Sequence, residues 1–177
     1  MNPPQQFETE RLILRKPRRD DAPAIFRGWT QDPEVTRFLS WRPHQRLEQT
    51  ETFVRNCLAA WEDEARFPYL ITTREGQRAV GVIDPRLDGW RMEIGYMLAR
   101  PHWGRGYMTE AVLTIIAWAF RQPTIYRVYA TTDVENLASQ RVLEKSGMQR
   151  EGILRKYALH PNVSEEPRDS YMYAIVK

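Results

Sequence analysis

The spacing of apolar and polar residues along the chain changes period several times, and each change marks an element. Leu12-Ile13-Leu14 is an apolar run of strand type. Arg18-Arg19-Asp20-Asp21-Ala22-Pro23 opens a helix carrying Ile25, Phe26 and Trp29. Asp20 or Asp21 suits its cap and Pro23 its first turn. Asp32-Pro33-Glu34 begins a second short element with Val35, Phe38 and Leu39, and Trp41-Arg42-Pro43-His44 reads as a loop. From Leu47 onward Phe53, Val54, Cys57, Leu58 and Trp61 recur at helical spacing.

The period then switches. Residues 69–73 and 79–83 are strands joined by a hairpin turn at Arg74-Glu75-Gly76-Gln77. Residues 84–89, which hold Pro85 and Gly89, read as another turn, and residues 90–98 as the next strand. Residues 104–120 form a loop entering a helix, and residues 125–131 a strand rich in β-branched and aromatic side chains. Residues 136–146 form a helix that Gly147 closes. Residues 148–157 are partly strand, and residues 171–176 form the last one. Three neighbouring strands lack intervening helices, which predicts a mixed sheet with helices on both faces. No repeat, linker or low-complexity tract interrupts the pattern, so residues 1–177 read as one domain.

Composition narrows the function classes. Hydrophobic content of 42% and charged content of 28% are those of an ordinary globular protein. The net charge of +3 includes no basic stripe at helical spacing, which disfavours nucleic acid. The basic residues are overwhelmingly arginine, a bias read first as genome composition and second as a means of binding anions. The single cysteine, Cys57, precludes an intramolecular disulfide and sits in a helical pattern as a buried thiol. His44, His102 and His160 lie far apart, each next to a proline, so no metal site is expected. No apolar stretch has the length of a membrane span, and Met1-Asn2-Pro3-Pro4-Gln5-Gln6 lacks a secretion pattern, so the cytoplasm is the default.

The candidate chemistry concentrates in Trp103-Gly104-Arg105-Gly106-Tyr107-Met108-Thr109-Glu110, between a strand and an amphipathic helix. Two glycines there can turn several N–H groups toward one point, and the helix adds its positive end: a seat for phosphate. Alone, such a pair is more often an ordinary turn. Thr109 stands where a dinucleotide fingerprint needs its third glycine, and the Gly-Lys-Ser/Thr of a nucleoside-triphosphate loop is absent. A diphosphate within another cofactor remains.

Together with Glu93-Ile94-Gly95-Tyr96-Met97-Leu98, this run resembles the acetyl-CoA motif of the GNAT N-acetyltransferase superfamily. The resemblance is nearest to the branch containing the RimJ and RimL ribosomal-protein N-terminal acetyltransferases. Glu8-Thr9-Glu10-Arg11-Leu12-Ile13-Leu14-Arg15 is similar to that branch's first strand, the run from Asp133 to Met148 to its later CoA-side helix, and Arg168-Asp169-Ser170-Tyr171-Met172-Tyr173 to its last strand. The likeness covers almost the whole chain. One departure is Pro101, where the superfamily often has Gln or Arg.

The resemblance implies an α/β fold whose mixed, mostly antiparallel sheet of six to seven strands has helices on both faces and a splay between strands 4 and 5. It implies acetyl-CoA as co-substrate, with no metal, and a primary amine attacking directly in a ternary complex. The pantetheine arm would pair with the strand edge around Met97, Leu98 and Ala99, its two amides mimicking a peptide. The diphosphate would take donors from Trp103, Gly104, Arg105, Gly106, Tyr107 and Met108, and Arg105 could add charge. Asn136 would reach the pantetheine; equally it suits a helix N-cap.

Acetyl transfer needs a neutral amine, a polarised carbonyl and a stabilised thiolate. An α-amine, with a pKa of about 8, asks less of a base than a lysine at about 10.4. Glu93 is the candidate base, where the family often places one; the alternative is an exposed carboxylate or an arginine's ion-pair partner. Glu93, Gly95 and Met97 share one strand face. Leu143 occupies the position of the tyrosine acid that many members use, whereas Ser139 matches a serine of the RimL-like branch, both at the sulfur and as a cofactor contact. Its alternative is a serine bonded to its own helix, and proximity alone is a third possibility. The oxyanion donor would be an N–H near Met97-Leu98. Glu110 is explained by the helix dipole and packing. Trp29, Phe38, Trp41, Trp61, Tyr157 and Tyr171 are candidates for a wall over the acetyl group.

The expected acceptor is the N-terminal α-amine of a ribosomal or other protein. Alternatives are a small amine (an amino acid, polyamine or antibiotic) or an acyl-CoA-binding sensor without turnover. Membrane partners are not expected, and a monomer or a homodimer is open.

Overall fold

A computed structural model describes residues 3–76 and 78–177. Gln77, part of the expected hairpin turn, and Met1 and Asn2, part of the expected leaderless start, lie outside the described residues.

Among the described residues, eight strands form one sheet: β1 (Gln6–Glu8), β2 (Leu12–Arg15), β3 (Tyr69–Thr73), β4 (Ala79–Asp88), β5 (Arg91–Leu98), β6 (Arg127–Asp133), β7 (Gln149–Ala158) and β8 (Arg168–Val176). Their order is β1-β2-β3-β4-β5-β6-β8-β7. Every neighbouring pair is antiparallel except β5 and β6. The expected six to seven strands become eight because β1 adds a strand that is too short, at 3 residues, to show a period.

Residues 84–88 are strand rather than turn; only Gly89-Trp90 turns. Pro85 is tolerated because of the side its missing N–H would face. Phe67 N–H donates to the Pro85 carbonyl and Leu87 N–H to the Ala65 carbonyl, so residues 85 and 87 point away from β5. The ladder to β5 therefore loses nothing at Pro85↔Ile94.

Five α-helices among the described residues flank the sheet: α1 (Ala22–Ile25), α2 (Pro33–Thr36), α3 (Leu47–Glu62), α4 (Tyr107–Arg121) and α5 (Leu137–Lys145). The expected helix near residue 20 is a 3-10 turn at Arg19–Asp21, α1, and then a π turn at Phe26–Thr30. Asp21 acts from within that turn, its Oδ2 accepting from Arg18 N–H at 2.6 Å while Oδ1 meets Arg15 Nη2. In α4, Met108, Ala111, Val112, Ile115, Ile116 and Ala119 form one buried stripe.

The stripe packs with Leu143 of α5 on one sheet face, against Leu12, Leu14, Tyr69, Ile71, Met92 and Ile94. The other face is covered by Ile25, Trp29 and Val54, against Leu70, Val82 and Met97. These are the expected helices on both faces.

Candidate active site

β5 stays paired to β4 along its whole length, from Arg91 to Leu98. Its pairing with β6 covers only Arg91↔Arg127, Met92↔Val128 and Glu93↔Tyr129. Beyond Glu93 the two parallel strands part, and a gap opens toward both their C-terminal ends. This is the splay expected between the fourth and fifth strands, which are β5 and β6 once β1 is counted.

Successive residues of a strand turn their N–H and C=O to opposite edges. Ala99 N–H donates to the Val80 carbonyl at 2.7 Å, so odd positions in this stretch face β4. Ile94, Tyr96 and Leu98 therefore face the gap. The Leu98 carbonyl is already taken by the Trp103 indole N–H at 2.6 Å. Of Met97, Leu98 and Ala99, only Leu98 thus has its main chain toward the gap, and Met97 packs its side chain with α1 and α3.

At the C-terminal end of β5 the chain makes a 3-10 turn and then the two-glycine loop. Gly104 and Gly106 have φ of +72° and +76°, a left-handed backbone that glycine adopts without a Cβ penalty. Gly106 is the N-cap of α4. No hydrogen bond among the described residues takes up the N–H groups of Gly104, Arg105 or Gly106. Unpaired donors in left-handed backbone at the start of a 15-residue helix are a geometry suited to an anion. The Met108 side chain is buried in the core, so only its main chain could serve a ligand. Tyr107 stacks on His102, ring centroids 5.9 Å apart. A cleft of about 360 Å³ between Arg11, Gly106, Glu110 and Lys145 lies beside this turn rather than in the gap.

Across the gap, Asn136 caps α5: its Oδ1 accepts from Ser139 N–H at 3.2 Å. Ser139 Oγ lies 2.8 Å from Tyr96 Oη, and the same phenol donates to the Ser139 carbonyl at 3.2 Å. Burial, against the opposing hydrogen bond to Ser139, pushes the Tyr96 phenol well above its ordinary range, so it keeps its proton. Tyr96 was absent from the sequence candidates; its alternation with Met92 and Ile94 makes it read as core.

Glu93 closes the paired part of β5, opposite Arg86 on β4 and Tyr129 on β6. Arg86 Nη1 is 3.6 Å from Glu93 Oε2, while the rest of that guanidinium holds buried Asp84, which also binds Arg66. Glu93 is thus an ion-pair partner of an arginine, partly exposed on the α1–α3 side of the sheet.

On that side, segments distant in sequence meet. Asn162 Nδ2 donates to the carbonyls of Thr36 and Trp41, each at 2.7 Å, tying the β7–β8 connection to the loop before α3. His44 Nδ1 and Thr50 Oγ1, 2.8 Å apart, hold that loop from beneath. His160 sits edge-on to Phe38, 3.8 Å from buried Asp133. Despite its burial Asp133 is held below the usual carboxylate range by hydrogen bonds from Arg168 and from Glu135 N–H. Of the six candidate wall aromatics, Phe38 and Trp41 lie among these joined segments. Trp29 is core, and Trp61 packs on Phe67 and Tyr69.

Glu110 does more than complement a helix dipole. Its carboxylate accepts from Thr9 Oγ1 at 2.5 Å, from Arg11 N–H at 3.0 Å and from Arg11 Nε at 2.7 Å. Burial pushes its pKa up, but these bonds outweigh it and hold the group below the ordinary value.

Comparison with known proteins agrees with this fold. The family model described as an acetyltransferase (GNAT) domain matches residues 11–149. The uncharacterized N-acetyltransferase YoaA of Bacillus subtilis is 32% identical over 174 residues, covering 97% of this chain and 96% of YoaA. Two solved structures share the fold at lower identity. The microcin C7 self-immunity acetyltransferase MccE, in complex with acetyl-CoA and AMP, has a TM-score of 0.89 at 20% identity, over 99% of this chain and 98% of its own. RimL, a ribosomal L7/L12 α-N-protein acetyltransferase in complex with coenzyme A, has a TM-score of 0.84 at 21% identity, over 95% of each chain.

Proposed function

This chain belongs to the GNAT acetyltransferase family, and from that premise we propose that it transfers the acetyl group of acetyl-CoA to the α-amine at a protein N-terminus. The observation that carries the reading is the parting of β5 and β6 after Glu93, with the unpaired donors of Gly104–Gly106 at the open end. A cofactor with a diphosphate at one end and an amide-bearing arm fits both features. Its thioester supplies an activated acetyl group.

The chain's own residues have separable tasks. The main chains of Ile94, Tyr96 and Leu98 hold the arm as an added strand. The Gly104, Arg105 and Gly106 N–H groups take the diphosphate, with the exposed Arg105 guanidinium at its rim. A gap-facing N–H of β5 can polarise the thioester carbonyl. Ser139, held by Tyr96, offers its hydroxyl hydrogen to the departing sulfur. With its proton on the Ser139 carbonyl, the Tyr96 phenol holds the serine in place beside the gap. Glu93 takes the amine's proton through water from the opposite face of the sheet, where the acceptor enters. An α-amine, with a pKa of about 8, is partly neutral at physiological pH and suits so indirect a base.

The acceptor class is supported by the resemblance to the RimJ and RimL branch and by the fold shared with RimL. A second reading, acetylation of a small amine-bearing molecule, draws on the fold shared with the microcin C7 self-immunity enzyme. A CoA-release assay over a peptide and amine library separates them. Peptides with free α-amines are expected to turn over, and the same peptides blocked at the N-terminus but carrying lysine are not. Turnover of free small amines with peptides untouched would replace the first reading by the second.

A further inference from the structure

The seat for the diphosphate is oriented from behind by a residue about a hundred positions upstream. Arg11 Nη1 donates to the Arg105 carbonyl at 2.8 Å. A trans peptide points its C=O and its N–H in opposite directions. Holding the Arg105 carbonyl toward Arg11 therefore aims the Gly106 N–H away from Arg11, where it stays unpaired among the described residues. We propose that Arg11 is a positioning residue for the cofactor: a strut that sets the Arg105–Gly106 peptide so that its N–H meets the diphosphate. The proposal rests on the acetyl-CoA reading above.

Three further observations make Arg11 a strut rather than a phosphate ligand. Its charge is already matched, with Nε and Nη2 on Glu110 Oε2 at 2.7 and 2.6 Å. Glu110 is itself fixed by Thr9 Oγ1 and Arg11 N–H, so carboxylate and guanidinium close a ring between the start of β2 and the first turn of α4. The guanidinium also lies over the Tyr107 ring, 4.9 Å from its centroid, which sets the plane of the fork. Finally, a Cβ at position 106 would meet Arg11 Nη2 at 3.5 Å, on a residue whose φ is +76°. Strut and glycine therefore fit each other. Lysine cannot replace this fork, since one ammonium does not span a carbonyl and a carboxylate in two directions.

Titration calorimetry of the full chain with CoA and with pantetheine, which lacks the diphosphate, tests the assignment. Loss of the oriented donor in Arg11→Met is expected to weaken CoA about tenfold, the effect of one hydrogen bond, and to leave pantetheine within about twofold. Arg11→Lys should match Arg11→Met rather than the native chain. Equal weakening of both ligands, native-like CoA binding by Arg11→Met, or full rescue by lysine would overturn the strut. A native chain that bound no CoA would instead remove the acetyl-CoA reading beneath it. Should Arg11→Met fail to fold, Glu110→Gln, which keeps an acceptor for Thr9 but loosens the guanidinium, carries the same comparison with the same expected selectivity for CoA.

Discussion

At the scale of single residues, the proposed chemistry turns on one side-chain pair. Ser139 and Tyr96 are 43 positions apart and meet at 2.8 Å across the gap. Ser139→Ala is expected to lower kcat about tenfold at saturating acetyl-CoA, the worth of one hydrogen bond in the transition state. Tyr96→Phe should cost part of that, about threefold, and the double variant should be no slower than Ser139→Ala, because partners in one network are not additive. Steady-state CoA release measures all three, and losses that multiply would show that the two residues act apart. Sequence could supply Ser139 only through a family resemblance. Tyr96 stayed hidden because strand alternation groups it with Met92 and Ile94, and nothing local says that α5 will bring a hydroxyl to it. Glu110 was concealed in the same way: its place in a helix's first turn already explains an acidic residue, so nothing local called for a clasp to Thr9 and Arg11.

At the scale of elements, β4 and β5 leave no room for a side chain at Gly81. A Cβ on Gly81 would lie 2.3 Å from the Met97 carbonyl oxygen and 3.1 Å from Leu98 Cα, both main chain, so the strands would have to part. Gly81→Ala is expected to destabilise by about 3 kcal/mol, read as a shift of the urea midpoint. Gly95→Ala, whose Cβ would meet only the Arg86 guanidinium at 3.6 Å, should stay within about 1 kcal/mol. Similar losses at both sites would show that the strand separation has slack. Most elements were legible, since the stripe of α4 and the alternation of β5 are strong periodic signals. The far half of β4 was not. Asp84, Pro85 and Asp88 carry turn composition, and only tertiary pairing decides that the missing N–H of Pro85 falls where β3 has already ended.

For the molecule as a whole, the three histidines share a property that makes stability depend on pH. Burial pushes His44, His102 and His160 below the ordinary histidine pKa of about 6.5. As pH falls past that value the unfolded chain takes up protons before the folded one does, so the folded state loses stability. Asp133 and Glu110, whose folded pKa values are depressed, contribute stability above the ordinary carboxylate range and lose it as pH falls through their folded values. Calorimetric melting temperatures should therefore be level from pH 8 to 7, begin to fall near about 6.5 and fall further once carboxylates protonate. A level profile down to pH 5 would contradict the buried, neutral histidines. The global architecture was largely readable from the order of strands and helices. The gap was available only by resemblance, because no residue pattern states that two parallel strands will separate after three pairs.

That separation also acts as a filter on length. An unpaired strand edge inside a sheet invites any extended chain to add itself. Here β6 closes the edge below Ile94, and the Trp103 indole occupies the Leu98 carbonyl above. What remains is the main chain of Ile94 and Tyr96 and one N–H of Leu98. A partner with two suitably spaced amides can satisfy that stretch, whereas a peptide strand of ordinary length would leave most of its own groups stranded against the indole and the closing end of the V.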